Sequence, residues 1–170
     1  NIEGKNMWIN SEYDLRVVAH ELGHNYGLHH ANHWQVSDGN PISPTGVSDE
    51  YGDIFDMMGS GGASENHFGH WNKSLMQWIP DTGVTTISTS GTYRVHRFDH
   101  QGANLSNSLA LKIVRNRDQD YWIGLRRATS NASMDGGAYV LWGYNENRES
   151  ELLDLTAPVN DLASAALTVG

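Results

Sequence analysis

Cysteine is absent from this 170-residue chain, which excludes disulfides and thiolate metal sites without deciding the compartment. Basic residues are few: 11 Lys and Arg stand against 20 Asp and Glu, a formal net charge of −9. No stripe of Lys and Arg is present to meet a phosphate backbone, so nucleic acid is not expected as a partner. No apolar run approaches the roughly 20 residues that cross a bilayer, so no membrane span is expected either. The chain begins at Asn1 with no signal-peptide pattern ahead of it, as expected of a processed or excerpted chain. What is present fits a globular protein: 38% hydrophobic residues rule out general disorder. Six Trp and 18 Gly predict a packed interior threaded by tight turns.

The spacing predicts a helix from Ser11 to Leu28. Ser11 and Asp14 resemble a capping box, and Leu15, Val18, Ala19, Leu22 and Tyr26 recur at three and four to form an expected buried face. Gly27 is placed to terminate it in the left-handed region. Ahead of it, Asn6 to Asn10 reads as a short strand. His33 to Glu50 reads as a long surface loop, broken by Gly39, Pro41, Pro44 and Gly46. A second helix is expected over about 67–78, with Phe68, Trp71, Leu75 and Trp78 on one face and Pro80 ending it. Beyond Pro80 to Gly83 the pattern turns to strands. These are 84–99 around a turn at Ser90-Gly91, a hairpin of 108–114 with 121–126, and 137–144. Two parts follow from this: a segment 1–80, and a β-rich domain 81–170 that is expected to be truncated at its C-terminus.

Chemistry concentrates in HELGHNYGLHH, residues 20 to 30. Residues four apart on a helix share a face, so His20 and His24 can grip one ion while Glu21 stands one step round. Neutral imidazole suits Zn²⁺, and three protein ligands with an open position mark a catalytic rather than a structural site. His30 reaches the same ion only if the chain bends after the helix, which Gly27 permits. His29 competes for that role on adjacency, though the spacing favours His30. Chance would produce His20, Glu21, His24, Gly27 and His30 together about once per three million starting positions, at average residue usage. The competing account, a solvated histidine-rich helix, is therefore set aside.

This stretch resembles the long zinc-binding signature of the metzincin metallopeptidases. The resemblance implies that His20, His24 and His30 bind zinc, that Glu21 is the general base, and that a methionine turn lies beneath the metal. FDMMGSGG offers that turn, with Met58 as its methionine and Met57 in reserve. HANHW and EYGDIFDMMGS are most similar to the gametolysin-like peptidases and their bacterial relatives. The implied fold class is α+β. It is the C-terminal part of a metzincin-type catalytic domain (zinc helix, Met-turn, following helix) and then an all-β region, with the N-terminal sheet subdomain largely absent. Ser60 stands two residues after Met58, where some metzincins carry a transition-state tyrosine, so that role does not transfer.

The implied activity is a secreted zinc endopeptidase acting on protein or peptide substrates, with Glu21 shuttling a proton from attacking water to departing amine. The alternative is a non-catalytic binding or adhesion module with a structural or degenerate zinc site. Glu21 argues against it, since a structural site needs no base. The motif also leaves room for a zinc enzyme acting on a non-peptide bond. Asp49, Glu50, Asp53 and Asp56 could bind Ca²⁺ through oxygen, but hydrogen bonding that shapes the Met-turn is preferred. His33, His67 and His70 could form a second metal site, and solvated or core positions are preferred. Trp122, Tyr139 and Trp142 could line a carbohydrate or protein-binding face, and core packing is preferred.

Overall fold

The computed structural model describes residues 4–10, 13–60, 67–126, 137–156 and 162–168. Ser11, the expected partner of Asp14 in a capping box, lies outside them. Asp14 itself caps α1 (Leu15–Asn25), its Oδ1 accepting the Val17 N–H at 2.7 Å. The helix ends where Gly27 takes φ 81°. Gly27 N–H bonds the His24 carbonyl and Leu28 N–H bonds the Gly23 carbonyl, the paired closure of a left-handed helix stop.

Eight strands follow among the described residues: β1 (Ala31–Gln35), β2 (Val47–Asp49), β3 (Val84–Thr86), β4 (Ala110–Val114), β5 (Gln119–Leu125), β6 (Gly137–Tyr144), β7 (Ser150–Leu153) and β8 (Leu167–Thr168). They form one mixed sheet in the order β2-β1-β7-β6-β5-β4-β3, with β8 pairing the end of β6 that β7 leaves uncovered. β1 runs parallel to β7 and β3 parallel to β4, and the remaining pairs are antiparallel. The β4–β5 turn is tied by Asn116 Oδ1, which accepts the N–H groups of Asp118 and Gln119.

β6 shows why the sheet holds. Its residues are almost all buried because both faces are covered. Tyr139 and Leu141 enter a core with Phe55, Trp71, Trp122 and Leu152, while Val140 and Trp142 join Leu153 on the opposite face. A helix α2 (His70–Leu75) covers the first face.

The expected fold class is overturned. The chain is a mostly-sheet protein with one mixed sheet and, among the described residues, two α-helices, not a metzincin-type helical segment followed by an all-β region. The reason lies in residues 31–49. From His33 onward they read as a loop that runs to Glu50 and carry no strand periodicity, yet β1 finds hydrogen-bond partners in β7 and β2, and tertiary pairing overrides local pattern.

Three smaller expectations also change. Residues 6–10 form no strand, and of 84–99 only Val84–Thr86 is a strand. α2 stops at Leu75 because Gln77 turns left-handed at φ 59°, well ahead of Pro80. Of the face expected to be buried, Leu15 on α1 and Tyr26 at its C-cap are exposed and Leu22 largely so, while the buried residues of the helix are His20, Gly23 and His24. The helix docks through its histidine face because Gly23 lets it press onto Met58 and Phe68.

Candidate metal centre

Three elements deliver the histidines. α1 presents His20 and His24 one turn apart. His30 follows the Gly27 bend and is fixed by the sheet: its carbonyl accepts Ser150 N–H, the first residue of β7, as β1 begins beside it. The rings then converge, with centroids at 4.7 Å (His20–His24), 5.0 Å (His24–His30) and 5.6 Å (His20–His30). One ligand nitrogen from each lies within 4.8 Å of the others, so the three could hold a metal ion.

The second nitrogen of each ring decides which atom faces that ion. His20 Nδ1 donates to the Met57 carbonyl at 3.0 Å, and His24 Nδ1 to the Leu28 carbonyl at 2.8 Å. His30 Nδ1 donates to Glu50 Oε1, also at 2.8 Å. Carbonyl and carboxylate oxygens only accept, so the proton lies on Nδ1 in each ring and the Nε2 lone pair is left for the metal. Burial lowers the pKa of His20 and His24, against the opposing pull of those same carbonyls. Both are thus held in the neutral form that ligation requires. Three imidazoles with Nε2 free are a donor set that fits zinc, and they leave coordination positions free.

Glu21 follows His20 on α1 and is half-buried. Its charge is felt at His20, His24 and the Tyr51 phenol, so it lies near the group. Tyr51 lies over the site, its ring 3.9 Å from His30 and 5.8 Å from His20 by centroid. Burial first, then the carboxylates of Glu50 and Glu21, push its pKa up. Its backbone adopts φ 63°, a conformation that costs a non-glycine residue about 1–3 kcal/mol. Two bonds hold it there: Tyr51 N–H donates to Asn32 Oδ1 at 3.1 Å, and its carbonyl accepts Ser60 N–H at 2.7 Å.

Beneath the histidines runs the methionine turn. Met58 is fully buried with Leu28, Ala31, Met57 and Phe68, and its Sδ lies against the bare Cα of Gly23, between the two helical histidines. Met57 contributes its carbonyl to His20. Asp56 secures the turn, accepting the N–H groups of Met58 (2.7 Å) and Gly69 (2.6 Å) and the Asn72 amide (3.1 Å). Asp53 accepts Phe55 N–H at 2.9 Å. Both aspartates are buried, which raises their pKa, Asp53 to about 7.

Three of the four carboxylates considered for Ca²⁺ have other tasks. Asp53 and Asp56 bind backbone, Glu50 binds His30, and the histidine triad is the one cluster of potential metal ligands among the described residues. His29, His33, His67 and His70 lie outside it. His70 is wholly buried, its Nδ1 3.1 Å from the Tyr139 hydroxyl, and burial drives its pKa down to about 3. Trp122, Tyr139 and Trp142 are all buried in the sheet core.

Sequence reasoning gave Glu50 a different role and Tyr51 and Asn32 none. The separation of Glu50 and Tyr51 from His30, 20 residues for Glu50, follows no local period, and only the pairing of β1 with β2 brings them back, while Asn32 lies on β1 itself. Comparison with known proteins finds no matching family model, no matching curated protein and no matching solved structure. Among the described residues no helix is long and apolar enough to cross a membrane.

Proposed function

We propose that the protein is a zinc-dependent endopeptidase, with His20, His24 and His30 as ligands and Glu21 as general base. One observation carries this: three Nδ1–H groups are engaged by outer acceptors, so three Nε2 lone pairs converge beside a carboxylate that ligation does not use. Zinc, when bound, polarises a carbonyl and lowers the pKa of water toward about 7. The chain's own residues do the rest. Glu21 accepts the proton of the attacking water as the peptide carbon becomes tetrahedral, then returns it to the departing amine, so no net proton is consumed. The imidazoles stay fixed by their Nδ1 partners. The resemblance of residues 20–30 to metzincin peptidases supports a peptide substrate and secretion.

The test is elemental analysis for zinc, with casein hydrolysis before and after chelation. Glu21→Ala is expected to hold zinc yet lose at least about 10²-fold in turnover. Full activity in that variant rules the mechanism out. The other reading, an adhesion module with a structural zinc site, gives stoichiometric zinc and no chelator-sensitive hydrolysis.

A further inference from the structure

We propose that Tyr51 is a catalytic residue of this site, its hydroxyl donating a hydrogen bond to the oxygen of the peptide carbonyl as that oxygen becomes an anion. The assignment rests on the peptidase reading and adds a residue to it.

Position is the first argument. The Tyr51 ring packs on His30 at 3.9 Å and approaches His20 at 5.8 Å, so it borders two of the three imidazoles that face the metal. The side chain is exposed, at 38%, so it stands beside the imidazoles on the solvent side of the group. Among the described residues no group takes up the Tyr51 hydroxyl, while its backbone N–H and carbonyl are both bonded.

The second argument is the backbone. Tyrosine is poorly suited to φ 63°, and packing alone does not require an aromatic ring to be carried on such a residue. Here the conformation is imposed from three sides. Asn32 from β1 holds the N–H, Ser60 from the methionine turn holds the carbonyl, and the following Gly52 is pressed so closely on His33 Cβ (2.7 Å from an added Cβ) that it admits no side chain. Tyr51 sits in the turn closed by Gly52 N–H on the Asp49 carbonyl, and with its backbone held there its ring lies against His30. Strain maintained at a ligand cluster is where functional constraint is found.

The third argument is chemical complementarity. Glu21 takes a proton from the nucleophile on one side, and the carbonyl oxygen gathers negative charge on the other. Apart from the metal, that oxygen needs a donor that does not itself lose charge in the reaction. A neutral phenol fixed in advance is such a donor and costs no reorganisation when the charge appears.

Tyr51→Phe removes the hydroxyl and keeps the ring that packs on His30, so melting temperature and zinc stoichiometry are expected to stay as in the wild type. With a fluorogenic peptide, kcat is expected to fall about 10²-fold, as for loss of one oxyanion donor, with KM within about twofold. A phosphinic peptide, which carries a tetrahedral oxyanion in place of the scissile carbonyl, is expected to bind at least about tenfold more weakly to zinc-loaded Tyr51→Phe. A Tyr51→Phe protein that retains both kcat and phosphinic-peptide affinity overturns the assignment and leaves the peptidase reading standing. A zinc-loaded wild type that neither cleaves peptides nor binds the phosphinic peptide sinks both.

Discussion

Glu50 closes on His30 across 20 residues of sequence, its Oε1 2.8 Å from the imidazole Nδ1. The bond fixes the ring's tautomer and its rotation, so this carboxylate orients an imidazole of the group that could hold a metal. His20 and His24 have backbone carbonyls for the same purpose, which no side-chain substitution can remove. His30 alone depends on a side chain.

Glu50→Ala is therefore expected to weaken zinc binding by about 10- to 100-fold, the usual effect of losing an outer partner of a ligating histidine. Glu50→Gln, whose amide oxygen still accepts from Nδ1, is expected to lose less. A competition titration against a chromogenic chelator measures both. Wild-type affinity in the alanine variant would mean that packing against Tyr51 is enough to hold the ring.

Asp56 is expected to matter for stability more than any surface carboxylate. Asp56→Ala leaves the N–H groups of Met58 and Gly69 and the Asn72 amide without their acceptor in a buried place. At about 1–3 kcal/mol for each unpaired group, the loss is expected to be at least about 3 kcal/mol in urea unfolding. Zinc affinity should fall with it, since the turn also supplies the Met57 carbonyl to His20. A midpoint unchanged from wild type would show that the Met58 turn holds itself.

Glu151 gives a prediction in pH. It lies buried in β7, and burial, against polar contacts from Ser48 and Asn32, raises its pKa from an ordinary 4.5 to about 7. Between those values the folded protein keeps a proton that the unfolded chain has released. Stability from this group is thus full below pH 4.5 and is lost as pH rises through about 7. The loss is at most about 3 kcal/mol. Glu151→Gln cannot ionise, so its melting temperature relative to wild type is expected to climb from pH 4.5 to 8. Comparing the two proteins cancels the like-signed effect of Asp53, which both retain. A difference that stays flat with pH would show that Glu151 ionises freely in the fold.

Much of the candidate centre was legible in residues 20–30. Helical spacing put His20 and His24 on one face, and Gly27 permitted the bend that returns His30; the structure has that glycine at φ 81°. The hairpin of β4 and β5 and the strand β6 were legible for a similar reason. Their side chains alternate or run apolar, and their partners lie next to them in sequence. The outward turn of Leu15 and Tyr26 was not legible, because periodicity reports an apolar stripe without saying which face finds a neighbour.

The sequence by itself determined the ligand types, their local spacing and the flexible point between the second and third histidines, since all of these depend on contacts within about ten residues. Tertiary structure alone decided what surrounds them. The parallel pairing of β1 with β7 fixes His30, the pairing of β1 with β2 returns Glu50 and Tyr51 to it, and Gly23 lets α1 rest on Met58. Such contacts join residues 20 to 120 positions apart, and no local period encodes them. They form because a buried strand must find hydrogen-bond partners wherever in the chain these lie.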